Sequence, residues 1–344
     1  MMELANVFQE HGYAVAVALI DPSVKEDDAA FTAVMRRAIS SNSKSSISFH
    51  MLPRIQDPSS LAFNDRFFTN YFDLVRRNND RLHDFLCSVR SVHAVVIDVS
   101  CSLALDAARK LGVPAYLFYP CNAGAIAVNL QISSLLVESS KKLGEGDSAL
   151  IEFLGVPPMP ASHVTDILGH PLSEINKDLQ DMIVAGARKT AEFDGILINT
   201  FVSLEERALR ALIDPRCRLP DGVVLPPLYT VGPLVDKAGT AGDGSSRQEC
   251  LVWLDGQPDR SVVFLCFGSI TGAGEHPEQQ LKEIAAGLDK SGHRFLWVVR
   301  APAPNTSTRS YQRVSWQEPA AAASSSTAGF PSRTSSATVP PARS

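Results

Sequence analysis

Residues 92–119 leave few folds open. Val92–Val99 is an apolar, partly β-branched run; Ser100–Leu111 follows with helical spacing, Gly112 marks its stop, and Val113–Tyr119 is a second apolar run. Strand, crossover and strand in that spacing read as a βαβ unit, which requires a parallel pair. A chain built on such units folds as α/β.

The flanks extend the alternation from residue 3 to residue 300. Leu4, Val7 and Phe8 share one face, so the spacing predicts a helix over 3–11 with Gly12 as its stop. Tyr13–Ile20 is a continuous apolar run, as in a strand buried on both faces, and Asp21-Pro22 ends it. A helix over 29–40 and a strand over Ile47–Leu52, closed by Pro53, come next. One long amphipathic stretch covers 60–89. Beyond the βαβ unit the pattern predicts a helix over 122–138 and a polar loop over 139–149. Residues 153–162 are too Pro-rich for either regular element. A helix over 173–191, a strand Gly195–Asn199 and a helix over 203–213 lead to Tyr229–Leu234.

Residues 235–246 are small, polar and Gly-rich and read as a linker. They divide a first domain, 1–234, from a second α/β region over 247–300. That region has a helix 247–255, a strand Ser261–Phe267, a Gly-rich turn 268–274, a helix 277–291 and a strand Arg294–Val299. Of the last 44 residues, 30 are Ser, Thr, Ala or Pro and none is Leu or Ile, so 301–344 is expected to be a disordered tail.

Composition excludes several classes. A net charge of −5 argues against a protein that coats nucleic acid. No apolar run approaches ~18 residues, so no membrane span is expected. The N-terminus lacks the basic and apolar regions of a signal peptide, which fits a reducing, cytoplasmic setting. Six cysteines show no CxxC or CxxH spacing, and eight histidines form no HxxxH or HExxH set, so no metal is indicated.

Two places could carry chemistry. Asp98 follows the apolar run Ala94–Ile97, at the strand end where open α/β sheets bind ligands. It could orient a histidine or act in acid–base catalysis, or it could simply cap the next helix; both readings stand open. Gly268-Ser269 opens a turn whose amides and hydroxyl could meet phosphate oxygens, or it could be an ordinary strand-to-helix turn. Neither GxGxxG nor GxxxxGK[ST] is present.

Four stretches in order resemble the plant family-1 UDP-dependent glycosyltransferases that glucosylate small phenolic acceptors. They are Met2–Pro22, Val95–Pro120, Gly195–Glu205 with Tyr229–Leu234, and Cys250–Ser269. The resemblance implies two Rossmann-like domains of the GT-B type, the first lacking its initial strand and the second incomplete. It implies that Asp98 orients a catalytic histidine absent from this chain, and that Gly268 and Ser269 contact donor phosphate. UDP-sugar, with glucose as the expected sugar, is a co-substrate; no cofactor or metal is needed. The acceptor hydroxyl attacks the sugar with inversion. The expected form is a monomer bound to a phenolic acceptor and UDP-sugar, without nucleic acid. The family's His-bearing first loop and its Trp-Ala-Pro-Gln and His-Cys-Gly-Trp donor signature are not found, so impaired or absent activity is expected. The alternative is a non-catalytic binding or regulatory fragment.

Overall fold

The computed structural model describes residues 1–20, 47–55, 67–138, 150–168, 175, 177–217, 219–220, 222–235, 249–267, 278–302, 310–317 and 335–338. The expected helix at 29–40, the loop at 139–149, the linker at 235–246 and the turn at 268–274 lie outside these residues, apart from Val235. The chain divides into two compact units, Met1–Asp236 and Lys237–Ser344.

The first unit opens with α1 (Met2–Glu10). Gly12, at φ +85°, ends it: the Gly12 N–H donates to the Gln9 carbonyl at 2.9 Å and Tyr13 N–H to the Phe8 carbonyl at 3.1 Å. This is a Schellman stop, and the Phe8 and Tyr13 rings close it edge to face with centroids 6.0 Å apart. β1 (Val15–Leu19) then pairs in parallel with β2 (Ile47–Met51). The two form a sheet of their own.

The expected 60–89 stretch is two helices where described, α2 (Phe67–Arg77) and α3 (Asn79–Ser88). Buried Asn78 is the reason. Its carboxamide donates to the Leu74 carbonyl at 2.8 Å, and its own N–H bonds Val75 instead. A side chain that competes for the helix's own acceptor breaks the run.

The βαβ unit stands at the centre of the main sheet's construction. β3 (Val95–Asp98) and β4 (Ala115–Tyr119) are parallel, with Asp98 in register with Phe118. Both strands begin later than expected, and Pro114, which has no N–H, limits the ladder there. The crossover is a 3-10 turn, Val99–Ala104, and a short α4 (Leu105–Lys110) rather than one helix. Gly112, at φ +65°, repeats the Schellman stop.

α5 (Ala123–Glu138) is apolar on nearly every face and buried accordingly. Its buried Gln131 is satisfied by the Leu154 backbone, accepting from N–H and donating to C=O, each at 2.9 Å. Within 153–162 the structure departs from expectation. β6 (Met159–Pro160) pairs with β5 (Leu150–Ile151), and α6 (Ala161–Leu168) starts directly after Pro160. Proline suits an edge strand and the start of a helix, which this short element provides. α7 (Lys177–Ala191), β7 (Gly195–Ile198), α8 (Val202–Leu212) and β8 (Leu228–Thr230) complete the unit.

The main sheet has the order β3-β4-β7-β8 with every pair parallel. Leu105, Ala108, Leu117, Ile196 and Ile198 are fully buried beneath it. On another face, Leu4 of α1 packs with Phe118 and Leu197.

The second unit has α9 (Glu249–Asp255), β9 (Val262–Cys266), α10 (Glu278–Ser291) and β10 (Arg294–Pro302). β9 and β10 are parallel. Within 301–344, where composition argues against a packed core, β11 (Ser310–Gln317) and β12 (Ser335–Thr338) pair antiparallel, giving the order β12-β11-β10-β9. Backbone pairing alone suffices for that arrangement, whatever the side chains. Phe295, Leu296 and Trp297 of β10 are buried.

Candidate active site

Asp98 ends β3 with extended backbone, φ −62° and ψ 141°. Its Oδ1 accepts the Ser100 N–H at 2.9 Å, so it caps the 3-10 turn as the capping reading expects. Oδ2 has no hydrogen-bond partner among the described residues. The Met1 amino group lies within electrostatic reach; burial holds its pKa below the usual value, against the pull of Asp98 and Glu3. α1 has nine residues and is therefore about 13 Å long. His11 stands at its far end with Nδ1 2.8 Å from the Val7 carbonyl. Among the described residues no histidine bonds or ion-pairs with Asp98.

Two thiols and a phenol surround this strand end. The Tyr71 hydroxyl lies 3.8 Å from Cys101 Sγ. Burial pushes the Tyr71 phenol well above its ordinary pKa, and burial likewise pushes up the Cys101 thiol. Cys121, just past β4, is raised first by burial and further by the charges of Glu205 and Asp98. These thiols stay protonated at neutral pH and are poor nucleophiles.

Glu205 organises the next strand end. It sits inside α8 with non-helical backbone, φ −133° and ψ 35°, and reaches the start of α5. Its Oε2 accepts Ala123 N–H at 2.8 Å and its Oε1 accepts Gly124 N–H at 3.0 Å. Burial alone would raise this carboxyl; hydrogen bonding outweighs it and holds the pKa below the ordinary value. The buried Thr200 hydroxyl acts on the same carboxylate without meeting hydrogen-bond geometry. Asn122 Oδ1 accepts Ala125 N–H at 2.7 Å. The first three amides of α5 are thus taken by protein groups, which leaves none of them for an anion.

Asn199 joins three segments. Its Oδ1 accepts Leu234 N–H at 2.8 Å and its Nδ2 donates to the Pro120 carbonyl at 3.4 Å. The segment after β8 crosses so close that a Cβ on Gly232 would stand 2.7 Å from both Asn199 Oδ1 and Thr200 N. Asp98, Cys121 and Asn199 therefore stand at the carboxyl ends of three adjacent parallel strands, where open α/β sheets place ligands.

Gly268 and Ser269 lie outside the described residues. Among the described residues no three His, Cys, Asp or Glu side chains gather as metal ligands. No helix there is long and apolar enough to cross a membrane. Sequence reasoning singled out neither Tyr71 nor Glu205 by itself. Tyr71 lies within the amphipathic 60–89 stretch, where an aromatic residue signals only an apolar face, and nothing local signals the partner of Glu205, 82 residues away.

No protein-family model matches the chain. UDP-glycosyltransferase 88F4 of Malus domestica is 32% identical, with 90% of this chain and 64% of that protein covered. A malvidin galactosylase of Oryza sativa subsp. japonica is 39% identical over 65% of this chain and 44% of its own length. Among solved structures, a UDP-glucosyltransferase from Polygonum tinctorium capable of glucosylating indoxyl superposes with a TM-score of 0.66 at 26% identity, covering 88% of this chain and 63% of that one. The chain spans a little under two thirds of the length of the first of these relatives.

Proposed function

We propose that this chain, which belongs to the plant family-1 UDP-dependent glycosyltransferases, carries the acceptor side of a sugar transfer from a UDP-sugar to a hydroxyl of a small phenolic acceptor. The relatives' acceptors support the class: malvidin and indoxyl both present a hydroxyl on an aromatic frame. Glucose is the sugar we assign, as for the indoxyl enzyme.

Asp98 carries the reading. It is a half-buried carboxylate at a strand's carboxyl end, with Oδ1 held by Ser100 and Oδ2 without a hydrogen-bond partner among the described residues. Oδ2 can accept the N–H of an imidazole and fix its tautomer. The other imidazole nitrogen then removes the acceptor's hydroxyl proton. The oxygen attacks C1 of the sugar from the face opposite UDP, the bond to UDP breaks, and the configuration inverts. Gly268 and Ser269 are assigned to the donor phosphates as amide and hydroxyl donors. UDP-sugar is a co-substrate, and the reading gives no step to a metal or a cofactor.

The 344-residue chain is assigned low or no turnover. No described histidine meets Asp98, and loss of a general base costs about 10²–10⁴ in rate. The same observation favours a second reading, in which the chain binds phenols without converting them. The thiols of Cys87, Cys101, Cys121, Cys217 and Cys266 support a reducing, cytoplasmic location.

Purified full chain with UDP-glucose and a panel of phenolic acceptors tests this, with glucoside formation and calorimetric heat as readouts. Heat without product supports the binding reading, and slow product supports the impaired enzyme. Turnover of ordinary size, about 1 s⁻¹ or faster, would overturn the assigned impairment. Neither heat nor product with any phenol would overturn the function.

A further inference from the structure

The second half of α3 carries three polar side chains that the sugar-transfer reading leaves unused: His83, Asp84 and Cys87. His83 and Cys87 are four residues apart, so they meet one turn apart on the same face of the helix. Cys87 Sγ lies 3.9 Å from each ring nitrogen of His83. Cys87 is exposed and the His83 side chain is 30% exposed, so a solute can reach both. Asp84 Oδ1 stands 3.7 Å from His83 Nδ1.

Thiolate sulfur and imidazole nitrogen are the donors that a borderline-soft cation such as Zn²⁺ selects. A tetrahedral zinc with Zn–S of about 2.3 Å and Zn–N of about 2.0–2.1 Å sets sulfur and nitrogen roughly 3.6 Å apart. The observed 3.9 Å closes to that by a small turn of two solvent-accessible side chains. A histidine ligand commonly gives its other ring N–H to a carboxylate, which fixes the tautomer. Asp84 is placed at Nδ1 for that role, which leaves Nε2 to the metal. Cys87 is in the last turn of α3, where the negative end of the helix dipole favours a cation.

From this arrangement we infer that His83 Nε2 and Cys87 Sγ bind a zinc-class divalent cation, with water in its remaining positions and Asp84 holding the His83 ring. Binding forms Zn–S and Zn–N bonds, and the Cys87 thiol proton leaves to solvent. No third protein ligand gathers there among the described residues. The site is therefore open and exchangeable, unlike a closed four-ligand structural site. The HxxxC spacing of 83 and 87 falls outside the CxxC, CxxH, HxxxH and HExxH patterns whose absence predicts no metal.

Calorimetric titration of ZnCl₂ into the full chain should show binding with Kd between about 1 and 100 µM. Cd²⁺ should give the ultraviolet charge-transfer band of a cadmium–thiolate bond. Cys87→Ser and His83→Ala should each weaken Zn²⁺ binding about tenfold or more, and Asp84→Asn less than either. Cys266→Ser, which removes an exposed thiol of the other unit, should change nothing. Bound Zn²⁺ should slow alkylation of Cys87 by iodoacetamide, read by peptide mass spectrometry. No binding up to about 1 mM overturns the inference. So does a loss in Cys87→Ser that His83→Ala does not share, binding that neither variant weakens, or alkylation of Cys87 that Zn²⁺ leaves unchanged. Circular dichroism of each variant checks that the fold is kept.

Discussion

The Glu205 carboxylate caps α5 from another helix, holding the Ala123 N–H at 2.8 Å with one oxygen and Gly124 with the other. A helix start is usually satisfied by the residue that precedes it. Here Asn122 covers Ala125, and the remaining work falls to a residue far along the chain.

Removing that carboxylate should cost stability. Glu205→Ala is expected to destabilise the first unit by about 1–2 kcal/mol, the range of a lost cap with charge assistance. Glu205→Gln keeps the shape and one acceptor and should lose less. Urea unfolding followed by circular dichroism measures both, and unchanged midpoints would remove Glu205 from the account.

The same group predicts a pH effect. Its folded pKa lies below the ordinary glutamate value of 4.5, so folding holds the ionised form. The resulting stability is complete well above that value and is lost as pH falls toward the lowered pKa. The wild-type midpoint should therefore fall more between pH 5.5 and about 3 than that of Glu205→Gln. Parallel curves would show that the carboxylate's charge contributes nothing.

Two glycines at positive φ should respond differently to alanine. Gly155, at φ +99°, would place a Cβ 2.6 Å from Ala211 Cβ and 3.2 Å from Ala208 Cα. Gly12, at φ +85°, would meet nothing within 4 Å. Gly155→Ala should cost about 2 kcal/mol or more, from overpacking added to backbone strain. Gly12→Ala should cost about 1 kcal/mol, from backbone strain alone. Denaturant midpoints distinguish the two, and equal losses would contradict the packing at Gly155.

Asp98 separates capping from charge. Asn caps as well as Asp, so Asp98→Asn should leave stability nearly unchanged, whereas Asp98→Ala should lose about 1 kcal/mol. If Asp98→Asn destabilises as much as Asp98→Ala, the carboxylate's charge rather than its cap holds the turn.

The parts of the fold visible in the sequence are those with local causes. The βαβ unit is legible because two apolar runs flank a helical spacing, and because Gly112 can adopt the φ that its stop requires. The Asp98 cap is legible from Asp-Val-Ser, since an aspartate two residues before an N–H it can bind is a local signal. The break at Asn78 is local too, but 3.6-residue periodicity runs through it without a gap, so only the carboxamide's reach to Leu74 reveals it. The Glu205 bond to α5 and the Asn199 bond to Leu234 join distant segments, and no window of sequence contains both partners. For the donor contacts proposed above, the glycines and serine of 268–274 supply a chemical pattern, and their conformation lies outside the described residues.

The separate β1–β2 sheet divides the first unit by how long its amides stay closed. No described ladder hydrogen bond joins β1 or β2 to β3. They meet the remainder through α1, whose Leu4 sits against Phe118 and Leu197, and through His50 of β2, whose ring centroid lies 4.7 Å from that of Phe85 in α3. A rare excursion that lifts α1 and parts His50 from Phe85 would release both strands and leave the four-strand ladder intact, so they form a foldon of lower opening energy than that ladder. Deuterium should therefore enter 15–19 and 47–51 long before it enters 115–119, and a protease would find its first footing there.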